Sequence, residues 1–190
     1  EAPAQFLICD WLLYYPFLDG DSTDAQDLTN TVTLPRYTDG VGTRAFIVAQ
    51  GTGTGTGAYT LSYTNQDGVA GRTATGSTVT PTGSGFVLSC SSGTSSQRTD
   101  PFLHMQAGDT GIRSIEQFTW TSAPGGISAL VIVKPLAPLL YAEIGTVAEQ
   151  VFWPRFPRVE SGAYLGVLRQ QTGATPNGRT YTGILTTIRS

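Results

Sequence analysis

Residues 58–64 read AYTLSYT, with Tyr59, Leu61 and Tyr63 alternating against Ala58, Thr60, Ser62 and Thr64. Successive side chains of an extended chain point to opposite faces. A period of two with large apolar groups on one side therefore describes a strand with one face buried. Comparable signals recur outward from this stretch. Toward the N-terminus, Thr29–Leu34 alternates and stops at Pro35, and Arg44–Gln50 (RAFIVAQ) is a nearly continuous apolar run. Toward the C-terminus, strands are expected over Arg72–Thr80, Gly85–Cys90, Gly111–Trp120, Ile127–Val133, Leu139–Ile144, Val147–Trp153, Tyr164–Leu168 and Gly183–Ile188. Gly, Pro, Asn and Asp fill the gaps, and no segment carries a long stripe of period 3.6. The pattern predicts an all-β fold, an antiparallel β-sandwich or jelly roll, because two apolar faces cover each other and leave few open edges.

The connections carry their own signals. Asp39-Gly40 and Asp67-Gly68 are expected as type I′ hairpin turns, where glycine accepts a positive φ. Pro35 and Pro135 are expected to end strands, since proline lacks a ladder donor. Gly51–Gly57 (GTGTGTG) has no apolar anchor and is expected to form a flexible hairpin tip, with Ser91–Thr99 a similar exposed loop.

Residues Phe6–Leu18 (FLICDWLLYYPFL) are the densest apolar-aromatic segment, and Pro16 argues against an uninterrupted helix. They read as an extended arm or edge strand docked in a groove of its own domain or of a neighbour. The acidic run that follows (DGDSTDAQD) reads as a solvated loop. Residues 1–28 would then be an N-terminal arm and acidic loop, and residues 29–190 the β-sandwich domain. Removing residues 1–18 is expected on this reading to leave a foldable but poorly associating module.

Composition narrows the function. Only 13% of the 190 residues are charged, against about 25% in a typical globular chain. Thr, Gly and Ser make up the difference. A neutral polar surface suits a protein covered by neighbours, because charges are costly to desolvate at the centre of an interface. The net charge is −3, Lys134 is the single lysine among eleven basic residues, and there is no basic run, so no nucleic-acid partner is expected. The apolar runs are interrupted well short of the roughly 20 residues that span a bilayer, and no membrane partner is expected. The chain begins at Glu1 without a secretory pattern. Cys9 and Cys90 lie among apolar or small residues and are expected as free thiols, in keeping with a reducing compartment.

No chemistry-bearing motif stands out. His104 is the only histidine; in PFLHMQAGD it is expected at a partly buried strand position, and it offers no pair for a metal. No serine sits in a nucleophile elbow. The Gly-rich loop lacks the lysine and following helix of a phosphate cradle. Acidic residues cluster in a loop, and Glu143 and Glu149 lie near aromatics without a motif. No catalytic, cofactor-binding or metal-binding residue is expected, and the chain is not expected to be an enzyme. Tyr14, Tyr15, Trp120, Trp153 and Tyr164 are candidates for a sugar-stacking platform, against a core or interface role. Arg36, Arg72 and Arg113 stand beside glycine or in turns, where a guanidinium fork can take carbonyls or carboxylates of a neighbouring loop.

Five segments carry a resemblance when taken together: Asn30–Gly40 (NTVTLPRYTDG), Tyr63–Arg72 (YTNQDGVAGR), Pro101–Ile115 (PFLHMQAGDTGIRSI), Pro124–Pro135 (PGGISALVIVKP) and Pro157–Leu165 (PRVESGAYL). Their succession, from about residue 6 to the end, resembles a family of virion structural proteins of tailed bacteriophages. The resemblance implies a capsid decoration or other auxiliary head protein, located on the virion after assembly in the bacterial cytoplasm, with a tail or fibre module binding a receptor or glycan as the alternative. The implied partners are further copies of the chain, in a closed oligomer such as a trimer, and the major capsid protein or other virion proteins. The aromatic segment is the expected contact: Phe6, Trp11, Leu12, Tyr14, Tyr15 and Phe17, with Arg36 and Arg113. Each specific contact should bury on the order of 1,000 Å².

Overall fold

Eight strands order the chain in a computed structural model that describes residues 4–28, 33–80, 83–89, 101–141 and 157–171. They are β1 (Ala4–Asp19), β2 (Ala25–Asp27), β3 (Arg44–Ala49), β4 (Ala58–Asn65), β5 (Arg72–Ser77), β6 (Ile112–Ser122), β7 (Ile127–Tyr141) and β8 (Leu165–Gln171), and no helix occurs among the described residues. The expected strands Val147–Trp153 and Gly183–Ile188, most of Thr29–Leu34, the loop Ser91–Thr99 and Cys90 lie outside the described residues. The strands form two four-stranded sheets, in the orders β3-β7-β1-β8 and β2-β6-β4-β5, and every pairing is antiparallel. The all-β antiparallel fold is therefore as expected.

The two sheets bury their facing sides against each other. From β4 come Tyr59, Leu61 and Tyr63, all but inaccessible to solvent, while Ala58, Thr60, Ser62 and Thr64 face outward. On β6 the rings of Phe118 and Trp120 meet edge to face at 4.7 Å, and Phe118 stacks on Tyr59 at 5.7 Å. Across the gap stand Ala45 and Ile47 of β3, Leu130 and Ile132 of β7, and Leu12, Tyr15 and Leu18 of β1. The first sheet is buried on its other face as well. Phe46 and Val48 of β3, and Val131 and Val133 of β7, join Cys9, Trp11 and Phe102 in a second cluster. This double burial explains why β3 and β7 read as unbroken apolar runs while β4 alternates.

Several expectations change. The segment expected as an arm or edge strand is an interior strand over its first half: β1 pairs with β7 along its length, and from Ala4 to Asp10 also with β8. It belongs to the sandwich, so a division at residue 28 does not separate an arm from a domain. Ile127–Val133 and Leu139–Ile144, expected as two strands, are joined in β7 through Pro135. The missing N–H is absorbed by a bulge, where the pairing steps from Cys9↔Pro135 to Ile8↔Ala137. Of the expected strand Gly85–Cys90, the described residues through Ser89 contribute two isolated bridges, Val48↔Val87 and Thr78↔Ser89.

The glycine-rich connection Gly51–Gly57 is not a free tip. It carries the chain from the first sheet to the second, and Thr54 N and Gly55 N both donate to Pro124 O at 2.9 and 3.0 Å. The turn it rests on uses Gly125 and Gly126 at φ 75° and 73° to carry β6 into β7. A side chain at Gly126 would strike the Thr52 carbonyl, so only bare backbones can approach this closely. The Asp-Gly turns also differ in type. Gly40 N donates to Tyr37 O and Gly68 N to Asn65 O, with Gly40 and Gly68 at positive φ while the preceding aspartates are not. These are type I turns closed by a left-handed glycine.

Candidate functional site

Of the three register breaks between β1 and β7, the one at Ile8/Cys9 places its extra residue on β7, while those at Trp11/Leu13 and Tyr15/Leu18 place theirs on β1 and set which of its side chains meet the core. Each adds residues on one strand and turns the side chains that follow. Leu12, Tyr15 and Leu18 consequently all point inward, three apart, and are buried. Tyr14 and Phe17 are thrown outward, 51% and 72% exposed. Phe17 sits at φ 64°, in the left-handed region that bulky residues rarely adopt.

Gln50, one residue past the end of β3, fixes this arrangement. Phe17 N donates to Gln50 Oε1 at 2.8 Å, and Gln50 Nε2 donates to Tyr14 Oη at 2.8 Å. Gln50 N donates to Ile127 O, and Ser84 Oγ donates to Gln50 O. Next to it, Ala49 N donates to Phe86 O. Tyr14 and Phe17 are thereby tied to one amide, while Ile127 (45% exposed) bonds to the Gln50 backbone and Phe86 (56%) to that of Ala49 at the same end of the sandwich. Asp19, Asp21 and Asp24 follow directly in the chain, all exposed.

Of the other expected contact residues, Leu12 and Tyr15 belong to the core. They are not available to a partner. Trp11 is partly buried, meeting Phe46 edge to face at 5.5 Å, and Phe6 is half-buried. Arg36 forks onto Asp10, with Nε to Oδ2 at 2.7 Å and Nη2 to Oδ1 at 2.6 Å, and Arg113 Nε donates to Asp39 O. Both arginines thus hold their own chain. The structure brings together Tyr14 and Phe17 and adds Gln50, Phe86 and Ile127, which carried no motif in the sequence. Phe86, a large aromatic among Gly and Ser, was the one visible hint. Of the sugar-platform candidates, Tyr15 and Trp120 are buried, Tyr14 and Tyr164 are exposed, and Trp153 lies outside the described residues.

Several other polar groups have structural partners. Glu116 accepts from Ser62, Thr64 and Ser114 on the outer face of the second sheet. His104 is exposed, not in a strand; its neighbours Leu103 and Met105 take the buried positions. The Cys9 thiol is free and buried, and burial pushes it up to about 12, so it stays protonated and unreactive near neutral pH. Among the described residues no group of three or more His, Cys, Asp or Glu is placed to hold a metal ion.

Asp109 joins the ends of β4 and β5 to the chain before β6. It accepts from Tyr63 Oη at 2.5 Å, Asn65 Nδ2 at 2.8 Å and Arg72 Nε at 2.9 Å. Burial alone would raise its carboxyl, but these hydrogen bonds outweigh that and hold it at about 2, below the ordinary 3.8. Burial, then the bond to Asp109, pushes Tyr63 up to about 12. A carboxyl depressed in the folded state contributes stability that is complete above its unfolded value and is lost as pH falls through the folded one. Urea denaturation at pH 5 and at pH 2 should therefore show a smaller acid-induced loss in Asp109→Asn than in the native chain. Equal losses would remove Asp109 as a source of acid sensitivity.

The fold and this end define an antiparallel two-sheet module with an exposed, hydrogen-bonded aromatic platform. Comparison with family models, curated proteins and solved structures finds no match to the chain.

Proposed function

We propose that the chain is a virion structural protein, a capsid decoration protein of the tailed-phage kind, that works without catalysis by binding copies of itself and capsid subunits through the Tyr14–Phe17 platform. The observation that carries this is Phe17, held at φ 64° by the Gln50 amide with most of its ring in solvent. Strain retained where it buries nothing within the chain marks a residue kept for contact. The low charge of the chain and its resemblance to phage structural proteins support the same reading. Burial of Tyr15 and Trp120 leaves the glycan-binding alternative with only two of its aromatics exposed among the described residues.

Phe17→Gly separates contact from folding. Relief of the left-handed conformation is worth roughly 1–2 kcal/mol, and the added flexibility of glycine offsets about 0.5–1 kcal/mol of it. The variant should melt at or above the native temperature yet associate at least about tenfold more weakly in sedimentation experiments. Unchanged association would remove the platform from the contact. The particle assignment is tested by immunogold labelling of intact phage particles with an antibody to the chain. Label on heads is expected, and particles without label would overturn the assignment.

A further inference from the structure

The two ends of the sandwich differ in charge. At the platform end stand Asp19, Asp21 and Asp24, all exposed, none in an ion pair, and with no Lys or Arg beside them among the described residues. Asp19 lies two residues after Phe17 and pairs with Ile127, so the cluster adjoins the exposed apolar surface of those two side chains. At the opposite end β4 finishes and β3 and β6 begin. Here Arg44, Arg113 and Lys134 form no ion pair among the described residues. Arg113 Nε donates to Asp39 O, Lys134 Nζ to Val41 O, and Arg44 Nη1 only to the Met105 sulfur at 3.6 Å. Asp39 and Asp67 share this end, and Arg72 and Asp109 there pair with each other, so among the described residues four cations stand against three carboxylates. Val41 and Val69 are exposed apolar residues at this end, each about half exposed. One end is thus an apolar centre with an acidic flank, and the other a smaller apolar centre with an excess of cations.

From this complementarity we infer that the chain associates head to tail, the acidic platform end of one copy docking on the basic end of the next. The inference deepens the proposed function and rests on its self-association. A contact between two different surfaces of one chain is heterologous; it closes into a ring when the rotation per copy allows, and otherwise continues as a filament. Opposed charges around an apolar centre set orientation and register, while the buried aromatics supply most of the affinity. Phe17 and Phe86 are the larger, protruding partners, and the Val41 and Val69 turns, flanking Arg113, are the receiving surface.

A charge-swap experiment by sedimentation equilibrium tests the orientation. Asp21→Lys with Asp24→Lys makes the platform end basic, and Arg44→Glu with Lys134→Glu makes the other end acidic. Each double variant alone should associate roughly tenfold or more weakly than the native chain, because like charges now meet. An equimolar mixture should recover native association, since every contact in an alternating array again joins opposite signs. Native association should also weaken as salt rises from about 50 to about 500 mM, where the screening length shrinks to a few ångströms. Association of the acidic-end variant at native strength, or failure of the mixture to recover, overturns the head-to-tail arrangement and leaves self-association standing. A native chain that stays monomeric at low salt overturns both. Circular dichroism checks the fold of each variant; should the Arg44→Glu, Lys134→Glu chain unfold, the acidic-end variant and the salt series still decide.

Discussion

A chain lacking residues 1–18 is expected to show no cooperative unfolding transition and to aggregate on purification. β1 lies between β7 and β8 from Ala4 to Asp10, and its loss would leave both without their shared partner in the first sheet. The truncation also empties the core. Leu12, Tyr15 and Leu18 are buried between the sheets, and Cys9 and Trp11 contribute to the second cluster. Burial of a large apolar side chain is worth roughly 1.5–3 kcal/mol, so the three inward residues alone carry on the order of 5–9 kcal/mol. The net stability of a whole domain is only about 5–15 kcal/mol. The exposed edge of β7, rich in Val, Ile and Leu, would then template association between chains. A synthetic peptide spanning residues 1–19, added during refolding, should restore a transition by filling the vacant strand position. If the truncated chain instead melts cooperatively within a few degrees of the native one, β1 is the detachable arm that its composition suggests.

That segment was misread as an arm for a physical reason. Burial in a regular strand repeats every two residues, and β4 displays that period in the sequence because it pairs evenly with β5 and the extra residue at each register break with β6 lies on β6. β1 carries the extra residue at two of its three register breaks with β7, and its inward residues Leu12, Tyr15 and Leu18 fall three apart with Tyr14 and Phe17 pointing out. The pattern then matches neither strand nor helix. Pro135 gave a misleading signal for the same reason, since it sits at a bulge inside a strand that continues past it. The GTGTGTG connection was misread because its anchors are backbone groups at Pro124, and backbone partners leave no trace in side-chain pattern. Double burial of the first sheet was legible as a run of apolar residues in β3, although a run cannot say what covers each face. The platform was half legible: Tyr14 and Phe17 stood out as aromatics, but Gln50, which holds them, is an amide whose role exists only once β1 and β3 flank β7.

Replacing Arg36 with methionine should destabilise the protein by roughly 3–5 kcal/mol, the range found when one member of a buried ion pair is removed. Asp10 interrupts the apolar run of β1 and is fully buried. Its carboxylate accepts two bonds from the Arg36 guanidinium and one from Tyr164 N at 3.0 Å, while Arg36 Nη2 also donates to Trp11 O. Three stretches distant in sequence meet at this one group: β1, the chain before β3, and the chain entering β8. Without Arg36 the carboxylate keeps, among the described residues, a single donor from Tyr164 and no paired counter-charge, and desolvating an unpaired charge is far more costly than losing a neutral hydrogen bond. Arg36→Lys restores charge without the planar fork and should fall between the native chain and Arg36→Met. The decisive comparison is the double variant Asp10→Asn, Arg36→Met. Asparagine is neutral, and its side-chain oxygen can still accept from Tyr164 N, so the double variant should recover a large part of the loss in urea denaturation. If the double variant is as unstable as Arg36→Met alone, the guanidinium acts through its bond to Trp11 O and the packing of its stem. The buried charge at Asp10 would then not be what makes Arg36 necessary.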